Sequence, residues 1–354
     1  MGGQMNVAMN DPVAAVLGAP LKALQGGGLG FVGPDVSIDL LLASGRPFGH
    51  LPWSAEDATP FADQWLESGF PGWSRSILEQ WHAGAFDGMD AVVFSRSDDA
   101  SQRLYYYVRE LQQRGQLQGP RPLVLDLALV PRQSSLEHSA AAVASLAREL
   151  SIDDAALRAG IARADALRLK LSDLQGQRTA DGIFFERLSR ALLWSDPTGW
   201  IDALSLPAPG DAPRLLLSGS VPPDERLHRA AGIAGRCIVA ETHVHAVGRL
   251  GLPLAATEAD GARHIARQLI ATATGPRAFL DRAAWIVRQA REARAAAVIL
   301  WLTREDEALA WHVPAMRQAL AAANLPALVL PAASWRADDG VLDRIGEFCR
   351  EVKS

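Results

Sequence analysis

Short apolar runs of strand length recur along this chain, each followed by an amphipathic stretch, and the series is interrupted once by Leu206-Pro-Ala-Pro-Gly-Asp-Ala-Pro213. Strand–helix–strand alternation forces neighbouring strands to lie parallel, because the helix between them carries the chain back across the sheet. Before the interruption, residues 29–32, 91–94 and 123–130 read as buried strands, each bounded by Gly, Pro or charge. Residues 37–44, 76–83 and 99–114 read as the helices between them, the last with Leu104, Tyr107, Val108 and Leu111 on one face. After it, strands are expected at 214–217, 237–240, 297–302 and 327–330. The helices there are expected at 224–234, in one long stretch ending at 294, at 314–323, and at the C-terminus. Three prolines and a glycine in eight residues fit no regular element, so 206–213 is a linker. The division expected is a helical leader 1–25, an α/β domain 26–135, a helical connector 136–205, the linker 206–213, and a second α/β domain 214–354.

Composition narrows the function classes. With 354 residues the chain exceeds what one core usually organises, and with 49% hydrophobic and 21% charged residues it is that of a packed protein. No apolar run approaches the roughly 18–20 residues that a membrane span requires, and no Lys or Arg precedes the apolar residues of 1–19 as in a secretory signal. A cytoplasmic protein is expected. The net charge is −5 and the basic residues are interspersed with acids, so neither nucleic acid nor a membrane is an expected partner. Cys237 and Cys349 are the two cysteines; a disulfide framework and an all-cysteine metal or iron–sulfur site within one chain are excluded.

Four motifs carry possible chemistry. Gly28-Leu-Gly-Phe-Val-Gly33 has the letters of a dinucleotide fingerprint, but the strand lies inside the motif instead of before it, so an ordinary loop and strand are expected. Glu241-Thr-His243-Val-His245 follows a strand; alternate residues of an extended chain point the same way, giving either a metal site or a polar group lining a cleft. Ser218, Gly219 and Ser220 stand between a strand and a helix expected from Pro222, where exposed amides would receive an anion or cap the helix. Asp98-Asp99 and Glu305-Asp306 each follow a strand, one pair per half, and are placed to face each other across a cleft. Taken singly, each pair reads as helix-start acids.

In order along the chain, Gly30-Phe-Val-Gly-Pro-Asp-Val, Leu40-Leu-Leu-Ala-Ser-Gly45, Met89-Asp-Ala-Val-Val-Phe-Ser-Arg-Ser-Asp98-Asp99 and Arg103-Leu-Tyr-Tyr-Tyr-Val come first. Arg214-Leu-Leu-Leu-Ser-Gly219-Ser-Val-Pro222, Cys237-Ile-Val-Ala-Glu241, Ala297-Val-Ile-Leu-Trp and Asn324-Leu-Pro-Ala-Leu-Val-Leu330 follow. This ordered set, over roughly residues 28–350, resembles the 2-hydroxyacyl-CoA dehydratase and benzoyl-CoA reductase subunits. The resemblance implies two tandem flavodoxin-like (Rossmann-like) parallel-sheet domains, paired subunits, an acyl-CoA thioester in the cleft, and a cysteine-held iron–sulfur cluster fed by an ATP-driven activator. Where that family reads Cys-Asp, this chain has Asp98-Asp99; near the second ligand position it has Glu305-Asp306, and 74–80 also lacks cysteine. Carboxylates are poor substitutes for thiolates on a low-potential cluster.

The resulting expectation is a family subunit that binds acyl-CoA without its own cluster or metal, a hydro-lyase if it is catalytic, working as a homodimer or with a related subunit. Asp98, Asp99, Glu305 and Asp306 are the candidate catalytic groups, with Asp98 or Asp306 as a general base. Ser218, Gly219, Ser220, Glu241 and His243 are the candidate substrate contacts. The alternatives are a non-catalytic scaffold beside a cluster-bearing subunit, and a metal-assisted hydrolase built on Glu241, His243 and His245. Aromatics such as Trp65, Trp73, Trp81 and Tyr105 to Tyr107 are either the association face or internal core.

Overall fold

The computed structural model describes residues 11–176, 181–204, 207, 210–255 and 260–352. Two four-stranded sheets, every strand pair parallel, share one topology. In the first half the elements are α1 (Pro12–Gly18), β1 (Gly28–Val32), α2 (Ile38–Ala43), β2 (Phe48–His50), α3 (Ala62–Trp65), α4 (Gly72–His82), β3 (Met89–Ser95), α5 (Asp99–Gln113) and β4 (Arg121–Leu125). Three helices follow: α6 (Gln133–Glu149), α7 (Asp154–Gly176) and α8 (Gly182–Trp194). The second half holds β5 (Arg214–Gly219), α9 (Arg226–Ile233), β6 (Cys237–Glu241), α10 (Gly261–Thr272), α11 (Arg282–Glu292), β7 (Ala297–Thr303), α12 (Glu307–Ala310), α13 (Val313–Ala322), β8 (Ala327–Ala333) and α14 (Val341–Glu351). The sheet orders are β2-β1-β3-β4 and β6-β5-β7-β8. The chain is therefore α/β with two flavodoxin-like parallel sheets.

Strand period two sorts the core into layers. Leu29, Phe31, Ala91 and Val93 face α2, α6, α7, α8 and α10, whereas Val32, Val92 and Phe94 face Ile77, Leu78 and Trp81 of α4 and Leu104 and Val108 of α5. In the second sheet Leu215, Leu217, Ile299 and Trp301 pack with α9 and α14, and Leu216, Val298, Leu300 and Leu302 with α11 and α13. Both faces of each sheet are covered, which is why the strands read as unbroken apolar runs. Arg168 of α7 reaches Asp39 of α2 through bonds of 2.6 and 2.8 Å, with side chains 2% and 1% exposed, and so ties the helical connector to the first sheet. Val247, Ala262, Ile265 and Leu269, late in the chain, also enter the first core, beside α6 and α7.

Several expectations change. The strand expected over 123–130 ends at Leu125, because Asp126 turns to Arg96 at 2.5 Å and to His138 at 3.4 Å and leaves the ladder. The single long helix ending at 294 is two, α10 and α11, separated by a segment holding Gly275 and Pro276. On α5 the buried tyrosine is Tyr105, not Tyr107; Tyr105 and Trp81 (1% exposed) are core, whereas Tyr106 is 48% exposed and Trp73 lines the cavity described below. The three-residue strand β2 escapes sequence reading altogether. Of the linker, Leu206, Ala208 and Pro209 lie outside the described residues. Among the described residues no helix is long and apolar enough to cross a membrane.

Candidate functional site

Parallel sheets leave a crevice beyond the carboxyl ends of their strands. Here the two crevices face one cavity of about 740 Å³, lined by loops that follow β1, β3, β5 and β7, a size typical of small-molecule sites. The glycine-letter motif is, as expected, strand β1 itself with its following turn; Gly33 (φ 87°) has no room for a Cβ, which would stand 2.6 Å from Ser101 Oγ. Gly219 (φ 118°) is equally obligatory, since a Cβ there would meet the Trp301 carbonyl oxygen at 1.9 Å.

Seven of the expected site residues line this cavity: Asp98, Asp99, Ser218, Gly219, Ser220, Glu305 and Asp306. Asp98 caps α5, accepting the Ser101 amide at 2.7 Å. Burial pushes its carboxyl above the usual carboxylate range against that hydrogen bond, and the charges of Asp99 and Asp306 push the same way. Asp306 accepts the Ser220 hydroxyl at 2.9 Å, and burial raises it too, with the Ser220 bond and Arg282 opposing. Ser220 Oγ in turn accepts the Thr303 amide at 3.0 Å. The helix after this loop begins at Arg226, not Pro222, so the Ser218–Ser220 loop neither caps α9 nor presents amides at its N-terminus; it holds Asp306 instead. Asp99 and Glu305 are exposed. Asp99 takes Arg277 at 3.1 Å, and Glu305 Oε2 accepts the Gly72 amide at 3.1 Å from the other half. Trp53 and Trp335 meet across the same gap with ring centroids 5.1 Å apart.

Glu241 and His243 do not line the cavity. Glu241 ends an edge strand and turns into the protein, where His228 Nε2 stands 2.8 Å and His243 Nε2 3.3 Å from its oxygens, and Ser189 donates at 3.1 Å. Burial works to raise this carboxyl, but His243 and His228 hold it below the carboxylate range. Neighbouring Glu186 lacks enough compensation and is pushed by burial to about 7. His243 Nδ1 accepts the His245 amide at 3.3 Å, and His245 itself departs to the cavity wall, its ring 4.9 Å from that of His50. The three side chains thus fail to converge: the chain turns after Glu241, so strand alternation no longer applies. Among the described residues no group of three or more His, Cys, Asp and Glu side chains has an arrangement to hold a metal ion.

Other cavity groups carry no sequence signal strong enough to single them out. His50 accepts the Gly33 amide on Nε2 at 3.2 Å and sits 2.7 Å from the Leu51 carbonyl through Nδ1; with burial holding it near about 4, it is a neutral positioning imidazole. Arg282 is a buried cation on the wall, donating to the Thr274 and Gly275 carbonyls at 3.1 and 2.6 Å. Trp53, Trp73, Trp285, Trp311 and Trp335, five of the ten tryptophans, make the walls strongly aromatic. Asp35 lies just behind them, its Oδ2 buried without a partner and its carboxyl pushed by burial to about 6.

Thiols are absent from the cavity wall. Cys237 is buried in β6 and Cys349 in α14, and burial raises both, Cys237 to about 11, away from the thiolate form that ligates iron. The residues present do not fit a thiolate-held cluster. A family model described as 2-hydroxyglutaryl-CoA dehydratase, D-component, matches residues 38–350. No curated protein matches the chain.

Proposed function

The chain belongs to the 2-hydroxyglutaryl-CoA dehydratase D-component family, and from that premise we propose that it is an acyl-CoA-binding subunit which holds no iron–sulfur cluster of its own. The observation that carries the reading is one cavity, between the carboxyl ends of two parallel sheets, whose polar groups include Asp98, Asp306 and Ser220 and no thiol, where a cluster subunit needs thiolates. The aromatic walls suit the apolar part of a thioester. Any catalysis by this chain alone is acid–base: Asp98 and Asp306, both raised by burial, exchange protons nearer neutrality than ordinary carboxyls. In hydro-lyase terms one carboxylate takes the proton from carbon while a protonated one gives its proton to the departing hydroxyl, so that water leaves and the chain's protonation is restored. Electron-driven chemistry belongs, on this reading, to a cysteine-bearing partner subunit, with this chain in a homodimer or in a heterodimer with that partner.

Two measurements test it. Calorimetric titration of the purified full chain with butyryl-CoA should give saturable binding that free CoA at equal concentration does not match. Iron and sulfide analysis of protein purified without oxygen should give far less than one cluster per chain. Absence of thioester binding overturns the first half of the proposal, and about four irons per chain overturns the second.

A further inference from the structure

Two imidazoles stand on the cavity wall, one from each half of the chain: His50 at the end of β2 and His245 in the turn after β6. Their ring centroids lie 4.9 Å apart, with the planes inclined at 60°. His50 is fully engaged, with the Gly33 amide donating to Nε2 at 3.2 Å and Nδ1 facing the Leu51 carbonyl at 2.7 Å. His245 is 9% exposed, yet neither of its ring nitrogens has a hydrogen-bond partner among the described residues, and Nδ1 is sealed within the protein. Nε2 is therefore the nitrogen left to meet a ligand.

The ring is both held in place and held neutral. The His245 amide donates to His243 Nδ1 at 3.3 Å and its carbonyl accepts Arg249 at 2.8 Å, so the backbone is fixed on both sides of the side chain. Burial, joined by His50, Arg249 and His243, keeps this imidazole well below its usual range of protonation. A neutral ring has one proton to place. On Nδ1 it would make a sealed donor without an acceptor, which folded proteins rarely contain; on Nε2 it meets the cavity. The wall thus carries an uncharged, positioned N–H donor that no protein group receives.

We propose that His245 is the carbonyl-polarising residue of this cavity, its neutral Nε2–H group donating to the carbonyl oxygen of a bound thioester. The inference rests on the acyl-CoA reading above for its ligand. Asp98 and Asp306 line the same cavity. When the carboxylate of either takes a proton from the carbon beside the carbonyl, the C–H electron pair becomes a carbon–carbon π bond and the carbonyl π pair moves onto oxygen. There the Nε2–H donor meets the developing charge, and a donor fixed in advance needs no reorganisation. Because His245 does not titrate near neutrality, it stays the same donor over the range in which the carboxyls exchange protons.

The test is isotope-edited infrared spectroscopy of butyryl-CoA, labelled at its carbonyl carbon, bound to the full chain and to its His245→Leu and His245→Gln variants. A hydrogen bond to the carbonyl lowers its stretching frequency. The band should lie lower in the wild-type complex than in His245→Leu, which fills the space without a donor, and His245→Gln, which keeps an N–H, should bring it back at least in part. His245→Leu should also bind butyryl-CoA about fivefold more weakly, the scale of one neutral hydrogen bond. His245→Phe, likewise without a donor, takes the place of the leucine variant if that one does not fold. The same band position in wild type and in the donorless variant overturns the inference while leaving the acyl-CoA reading intact. So does a shift that His245→Gln does not reverse at all, since that reports altered packing. If butyryl-CoA does not bind wild type, the acyl-CoA reading itself fails and the inference falls with it.

Discussion

Asp35→Asn should stabilise this protein at neutral pH and leave it unchanged in acid. Asp35 follows β1 behind the cavity wall, with Oδ2 sealed from solvent and unpartnered. Its carboxyl is moved from the ordinary 3.8 to about 6 by burial, helped by the charge of Asp98 and opposed by Ser97. A raised pKa means the folded chain holds this proton more tightly than the unfolded chain does, so stability is full below about pH 4 and falls as pH rises through 6. At 1.36 kcal/mol for each pH unit of displacement, the ionised carboxylate costs at most about 3 kcal/mol at pH 8. Asp35 as a residue is half-buried, and screening brings the expected value to about 1.5–3 kcal/mol. Asparagine mimics the protonated acid, and it tolerates the left-handed backbone at this position (φ 60°) at least as well as aspartate. Urea denaturation of both proteins at pH 4, 6 and 8 measures the effect. The curves should coincide in acid and separate through pH 6, the variant being the more stable. Stabilities that stay parallel across the range, or a variant weaker at pH 8, would show that Asp35 is solvated or ion-paired and refute the reasoning.

Two other outcomes follow from the packing. Arg168→Met leaves the Asp39 carboxylate buried and unpaired and should cost about 3–5 kcal/mol in denaturation at pH 7; adding Asp39→Asn should recover a large part, and additive losses would show that the pair does not act as a unit. The double variant Cys237→Ala, Cys349→Ala should bind butyryl-CoA within about threefold of wild type, as neither thiol lies on the cavity wall, after a packing loss of about 1–2 kcal/mol per site; abolished binding in a folded variant would return the thiols to the site.

The fold was legible where a single physical cause acts locally. Strands buried on both faces announce themselves as apolar runs, and seven of the eight strands do so. β2, three residues long, has too few positions to show a pattern. The break between α10 and α11 was masked because the amphipathic residues continue on either side of Gly275 and Pro276, and hydrophobic period says nothing about where the backbone turns. Likewise no local pattern reveals that Val247 and α10, late in the chain, pack against helices that follow the first sheet; that is decided by which exposed helix faces remain uncovered once both sheets have formed.

The site divides on the same principle. Residues placed by topology alone, those after the carboxyl ends of the central strands β3, β5 and β7, are legible in the sequence, because parallel sheets open their crevice at that end. Glu241 and His243 obeyed the same positional rule and still miss the cavity, for β6 is an edge strand whose last side chain turns toward α8 and α9, where Ser189 donates to it and His228 stands at ion-pair distance. Arg282 was invisible for the opposite reason. In sequence it is one of many arginines at a helix start. What distinguishes it is burial with no carboxylate of the described residues within ion-pair distance, and an unmet charge is a property of the whole fold, not of any segment. The polar groups that define a binding site are in this sense those left over when local pairing is complete, and on this cavity wall they include groups of both signs, the buried Arg282 guanidinium and the exposed Glu307 carboxylate.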